Sequence, residues 1–111
     1  MNETDDPKAL MLLTIVLKHH PGVVLDEVQA RLKASQWWDS FPVPGTREVS
    51  WTVAMGLGQI VTLELPPHLL GQVNLALERS AWGVFSTEVY ATYDFVPVRE
   101  RIIERVRAGG Q

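Results

Sequence analysis

The stretch from Val49 to Pro67, VSWTVAMGLGQIVTLELPP, constrains the fold of this chain more than any other. It reads as a β-hairpin, because two strand-like runs flank Gly56-Leu57-Gly58. On the first run Val49, Trp51, Val53 and Met55 share one face, and Ser50, Thr52 and Ala54 share the other. On the second, Val61, Leu63 and Leu65 form an apolar face with Ile60, Thr62 and Glu64 opposite. Residues paired across a ladder point to the same side. A two-residue loop at Gly56-Leu57 pairs Thr52 with Val61 and mixes the faces. A three-residue loop pairs Met55 with Gln59, Thr52 with Thr62 and Trp51 with Leu63, and the faces agree. The expectation is therefore a Gly56-Leu57-Gly58 loop with Gly58 in a left-handed conformation.

Two further segments repeat the two-faced pattern. The first strand runs from about Ala9 to His19, with Leu13, Ile15 and Leu17 against Leu12, Thr14 and Val16. Glu88 to Phe95 sets Val89, Ala91, Tyr93 and Phe95 against Glu88, Tyr90, Thr92 and Asp94. Each of the four strands thus has one apolar face and a threonine near the middle of the other: Thr14, Thr52, Thr62 and Thr92. Sheets with an apolar face need helices over it. Val24 to Trp38 supplies one, with Leu25, Val28, Leu32 and Gln36 on a stripe; Trp37 and Trp38 cannot both be buried on that stripe. The loop Phe41-Pro42-Val43-Pro44-Gly45 follows. Pro66-Pro67 ends the hairpin and starts a second helix with Leu70, Val73, Leu77 and Ala81 inward and Gly83 at its close. A third helix follows Pro97, with Val98, Ile102 and Val106 on one face.

The order is β-α-β-β-α-β plus a C-terminal helix, a ferredoxin-like α+β arrangement with a four-stranded antiparallel sheet. Residues 1–8 read as a solvated tail, 9–95 as the domain and 96–111 as the last helix. The threonine face also carries Leu12, Val16, Ile60 and Tyr90. That is too apolar to stay wet, so a homodimer packed through it is expected.

Composition narrows the function. A chain of 111 residues with 46% hydrophobic content supports one domain with a core. Net charge of −3 argues against a nucleic-acid partner, which needs a basic surface. The absence of cysteine removes disulfides, thiol catalysis and zinc ribbons, and leaves a reducing compartment as the default. The start, MNETDDPK, does not read as a signal peptide, and no run reaches the length of a membrane span, so a cytoplasmic location is expected.

The chemistry-bearing residues are few. His19 and His20 fall on opposite faces of a strand end, and no third ligand stands at metal spacing, so no metal or cofactor is expected. His19 continues the Leu13-Ile15-Leu17 face and can serve as general acid or base at the mouth of the sheet–helix cleft. Trp51 faces the helices. It either walls a small-molecule pocket together with Trp37, or packs as core with its indole N–H satisfied. Glu64, Tyr90 and Asp94 on the threonine face suit rim positions or cross-subunit hydrogen bonds. No serine triad, phosphate loop or nucleotide fingerprint is present.

The element order, the glycine-rich hairpin and PPHLLGQVNLALERSAWGVFSTEVYATYDF together resemble the dimeric α/β-barrel superfamily. Muconolactone isomerases and antibiotic-biosynthesis monooxygenases belong to it. Trp82 and Phe85 occupy the turn where that pattern carries an aromatic residue before the final strand. The resemblance implies a dimeric α/β barrel binding a small apolar or aromatic compound between sheet and helices. Cofactor-independent isomerisation or oxidation follows as the reaction class, with His19 catalytic and Trp51, Trp37 and Trp82 contacting substrate. The alternative is a non-catalytic assembly or protein-interaction module in which the same residues only pack.

Overall fold

A computed structural model describes residues 9–20 and 22–109. The proposed tail at residues 1–8 lies outside them. The chain forms β1 (Met11–His19), α1 (Leu25–Ala34), α2 (Trp37–Ser40), β2 (Arg47–Ala54), β3 (Gly58–Leu65), a 3-10 turn (Pro67–Leu69), α3 (Leu70–Ser80), β4 (Phe85–Thr92) and α4 (Val96–Arg107). The strands make one antiparallel sheet in the order β2-β3-β1-β4. The architecture is α+β and compatible with a ferredoxin-like fold.

The core lies on one side of the sheet. Leu13, Ile15 and Leu17 of β1 and Val61, Leu63 and Leu65 of β3 are buried, together with Val28 and Leu32 of α1 and Val73 and Leu77 of α3. Three of the residues expected on the stripes of the first two helices, Leu25, Gln36 and Leu70, fall outside this core. Leu25 is exposed, and Leu70 keeps 39% of its surface. In α1, Asp26 and Glu27 occupy the first turn and Arg31 and Lys33 the last, charges that complement the helix dipole. Ser80, buried on α3, accepts or donates a hydroxyl bond with Ser40 at 3.2 Å and donates to the Ser35 carbonyl at 3.3 Å. Ser35 returns a bond to the Ser80 carbonyl at 3.0 Å, so the three helices are stapled at one end.

The hairpin differs from expectation in register. Ala54 pairs with Gly58, Thr52 with Ile60 and Trp51 with Val61, so the three-residue loop is Met55-Gly56-Leu57. Gly56 takes the left-handed conformation at φ 84°, while Gly58, at φ 145°, begins β3. A Cβ on Gly58 would run into the Leu17 carbonyl, so the ladder itself claims this glycine and pushes the loop back one residue. The slip of two preserves the faces, and Trp51 still turns toward the helices. A second departure is a bulge at Val49. Ser50 pairs with Thr62, but Glu48 pairs with Leu63 and Arg47 with Glu64, which leaves Val49 without a partner.

One helix and one strand also change their bounds. The segment expected as one helix from Val24 to Trp38 breaks at Gln36, which is left-handed at φ 63°, and α2 restarts at Trp37. The break rotates Trp37 into the core and leaves Trp38 57% exposed. β4 begins and ends three residues earlier than expected, because Ala81–Val84 form a tight turn that delivers Phe85 to the core. Tyr93 and Phe95 consequently lie beyond the sheet.

The threonine face is bare. Thr14 shares hydroxyl bonds of 3.3 Å with both Thr62 and Thr92 across three strands. Thr52 stands outside this row, with Ser50 in the place expected for it. Lys18 and Glu88 form an ion pair at 3.3 Å on the same face, and Arg47 pairs with Glu64 at 3.0 Å. Among the described residues no helix is long and apolar enough to cross a membrane.

Candidate functional site

The residues singled out from sequence separate into three places. Trp37 and Trp51 come together, with ring centroids 6.1 Å apart in an edge-to-face arrangement. Phe41 stacks on Trp37 at 4.4 Å and meets Trp51 edge-on at 5.7 Å. Trp38 lies nearly parallel to Trp51 at 6.5 Å. The Trp51 indole N–H donates to Gln59 Oε1 at 2.7 Å, so its polar group is satisfied within the sheet. This cluster has a buried half, Trp37 and Phe41, and an open half at the β2 edge, where Trp38, Val53 and Met55 are exposed.

His19 stands apart. It closes β1 as an exposed residue on the helix side of the sheet, its ring 5.7 Å from Phe85 and its backbone N–H bonded to the Leu57 carbonyl at 3.1 Å. Val61, the partner of Trp51, pairs with Ile15, and His19 lies four residues further along β1, about 13 Å at a strand rise of ~3.3 Å. Trp82 occupies the turn after α3, is 52% exposed, and bonds through its backbone N–H to the Leu77 carbonyl at 3.0 Å. The structure therefore joins Trp37 to Trp51 and keeps His19 and Trp82 elsewhere.

A concavity that sequence reasoning missed lies between α3 and β4 on the helix side of the sheet. It has a volume of about 370 Å³ and is lined by Leu13, Leu70, Gly71, Val73, Asn74, Leu77 and Val89. Asn74 contributes the one polar side chain, and its amide donates to Glu78 Oε2 at 2.6 Å. The groove exists because α3 does not reach over β4, whose helix-side residues Val89 and Ala91 stay exposed. The signal available in the sequence was the width of the α3 stripe. Leu70, Val73 and Leu77 span more surface than β1 and β3 need, and Leu70 is left at the groove's rim. None of His19, Trp37, Trp51 or Trp82 lines it.

A second, shallower depression of about 430 Å³ lies between the ends of α1 and α3, lined by Arg31, Ala34, Ser35, Arg79, Ser80, Gly83 and Val84. Arg31 is engaged there by Glu27 and by the Gly83 carbonyl. The pKa of the Arg47 guanidinium is raised above its ordinary value by the hydrogen bond it donates to Glu64 and by that carboxylate's charge. Among the described residues no group of three or more His, Asp or Glu is placed to hold a metal ion. Comparison with protein-family models, curated proteins and solved structures finds no match to this chain.

Proposed function

We propose that this chain is a homodimeric ferredoxin-like protein that binds a small apolar or aromatic compound in the α3–β4 groove. The observation that carries the reading is the groove itself. Its volume falls in the range of ~300–1,000 Å³ usual for small-molecule sites, and its wall is apolar with one polar side chain to orient a ligand. Read from β4, the strand order is β4-β1-β3-β2, with β3 inserted between β1 and β2, which supports the ferredoxin-like assignment. The bare threonine face supports the dimer: Leu12, Val16 and Ile60 are half-exposed there, and Tyr90 is exposed. Isomerisation or cofactor-free oxidation, implied by the resemblance to dimeric α/β barrels, requires a proton-carrying group beside the ligand. His19 lies six residues along β1 from Leu13, about 20 Å at a rise of ~3.3 Å, so the geometry favours binding over catalysis at this groove.

The test uses a hydrophobic fluorescent probe, anilinonaphthalene sulfonate, and two variants at Gly71. A Cβ at Gly71 meets nothing within 4 Å, so a side chain can start there without a backbone clash. Gly71→Trp fills the groove and is expected to weaken the probe by more than tenfold, while Gly71→Ala binds as the parent does. Equal binding by all three removes the groove as the site. A second reading, a non-catalytic interaction module, is favoured by the exposed Trp38, Val53 and Met55 at the β2 edge.

A further inference from the structure

We propose that α4 crosses to a second copy of this chain and roofs that copy's α3–β4 groove, so that each binding site is completed by the other subunit. The inference rests on the dimeric, ligand-binding reading above. Its first ground is that, among the described residues, α4 is packed closely on no other element. The helix buries none of its residues, yet Phe95, Val98, Ile102 and Val106 form a continuous apolar stripe, and Ile102 and Val106 are exposed. Isolated helices of this length are marginal in water, so the stripe calls for a surface to pack on.

The second ground is that the groove lacks a wall. Small-molecule sites bury about 70–90% of their ligand, and a trough open along the β4 edge falls short of that. Its open side is bounded by Leu70 and Asn74 on α3 and by Val89 on β4, an apolar bed suited to a helix laid across it. The third is direction. Asp94 Oδ1 accepts the Val96 N–H at 2.9 Å and the Phe95 carbonyl accepts the Arg99 N–H at 2.8 Å. These bonds fix how α4 leaves β4: no residue of α4 is among those lining its own chain's groove, and the molecule measures 57 × 40 × 15 Å.

Area and charge name the occupant. Four strands spaced ~4.8 Å apart and about eight residues long give each sheet face roughly 500 Å² in projection, so two apposed faces cover about 1,000 Å². Stable interfaces bury about 1,200–2,000 Å², and two reciprocally docked helices supply the difference. Within α4 four arginines face two glutamates, while residues 9–95 carry eight acidic and five basic side chains, so the body on which α4 would dock is acidic. Glu78, on the exposed flank of α3 beside Asn74, offers a counter-charge.

The chain has no cysteine, so an engineered pair reports without background. A Leu70→Cys/Ile102→Cys double variant, oxidised with diamide, is expected to run as a covalent dimer of the 12.5 kDa chain on a non-reducing gel. A disulfide formed only within one chain, or none, overturns the proposal. Light scattering on the unmodified protein separates the two layers. A dimer without the cross-link ends the roof and spares the dimer, and a monomer ends both. Hydrogen exchange guards against a misfolded variant: in the unmodified chain the amides of residues 99–107 should be protected at high concentration and lose protection on dilution. Protection independent of concentration places α4 on its own subunit and overturns the crossing.

Discussion

Gly58 is the residue on which the hairpin turns. Its φ of 145° is open to glycine, and a side chain would strike the Leu17 carbonyl across the ladder. Backbone cannot yield as a flexible side chain can, so Gly58→Ala should destabilise the fold by about 3 kcal/mol, a loss measurable by urea denaturation. Gly56 has a left-handed φ but open space around it, so the cost of Gly56→Ala should be smaller, about 1 kcal/mol from conformation alone. Both glycines were visible in the sequence as turn residues. Which of them belonged to the loop was not, because moving a three-residue loop by one residue shifts the pairing by two and preserves every side-chain face, and the deciding contact comes from Leu17 of β1, forty-one residues away in the chain. Gln36 makes the reverse argument. It holds φ 63° with a side chain, at a cost of about 1 kcal/mol, and Gln36→Gly should raise stability by about 0.5 kcal/mol in the same assay.

At the scale of elements, packing overrode local pattern wherever the two disagreed. The run from Val24 to Trp38 has helical periodicity, but an unbroken helix would carry Trp37 and Trp38 past the sheet together. The left-handed break at Gln36 instead lets Trp37 stack on Phe41 inside the core. No periodicity in the sequence announces such a break. The α3 stripe was legible, and the groove beside it was not, because a groove is the gap between two elements and depends on how far α3 stops short of β4. The inner strands β1 and β3 behaved as their alternation required, and the edge strands β2 and β4 kept apolar residues in the open. Where elements meet, small polar contacts hold the angle. Ser80 joins α3 to the ends of α1 and α2 through Ser35 and Ser40. Ser80→Ala leaves the Ser35 carbonyl and the Ser40 hydroxyl short of one buried partner each, so thermal unfolding should show a loss of about 1–2 kcal/mol.

At the scale of the whole molecule, α1 and α3 cover one sheet face, and among the described residues the core lies on that side. A two-layer body 15 Å thick along its short axis has all its tightly packed residues on one side of the strands. On the other side Val16 and Ile60 lie across from one another, flanked by the Thr14, Thr62 and Thr92 hydroxyl row. These residues contribute little to the fold of a single chain, so changing them separates folding from assembly. Val16→Asp with Ile60→Asp sets two carboxylates directly opposite each other on strands β1 and β3. In a lone subunit both remain in water, and the repulsion costs about 1 kcal/mol or less. In a dimer joined through this face, sheets stack ~10 Å apart and the same carboxylates lose their hydration, at several kcal/mol per ion. The expected outcome is a folded monomer: an unchanged circular dichroism spectrum, and half the parent's mass by light scattering. A double variant that keeps the parent's mass shows that this face is not the interface, and a parent that is itself monomeric shows that the threonine face is stable in water as it stands.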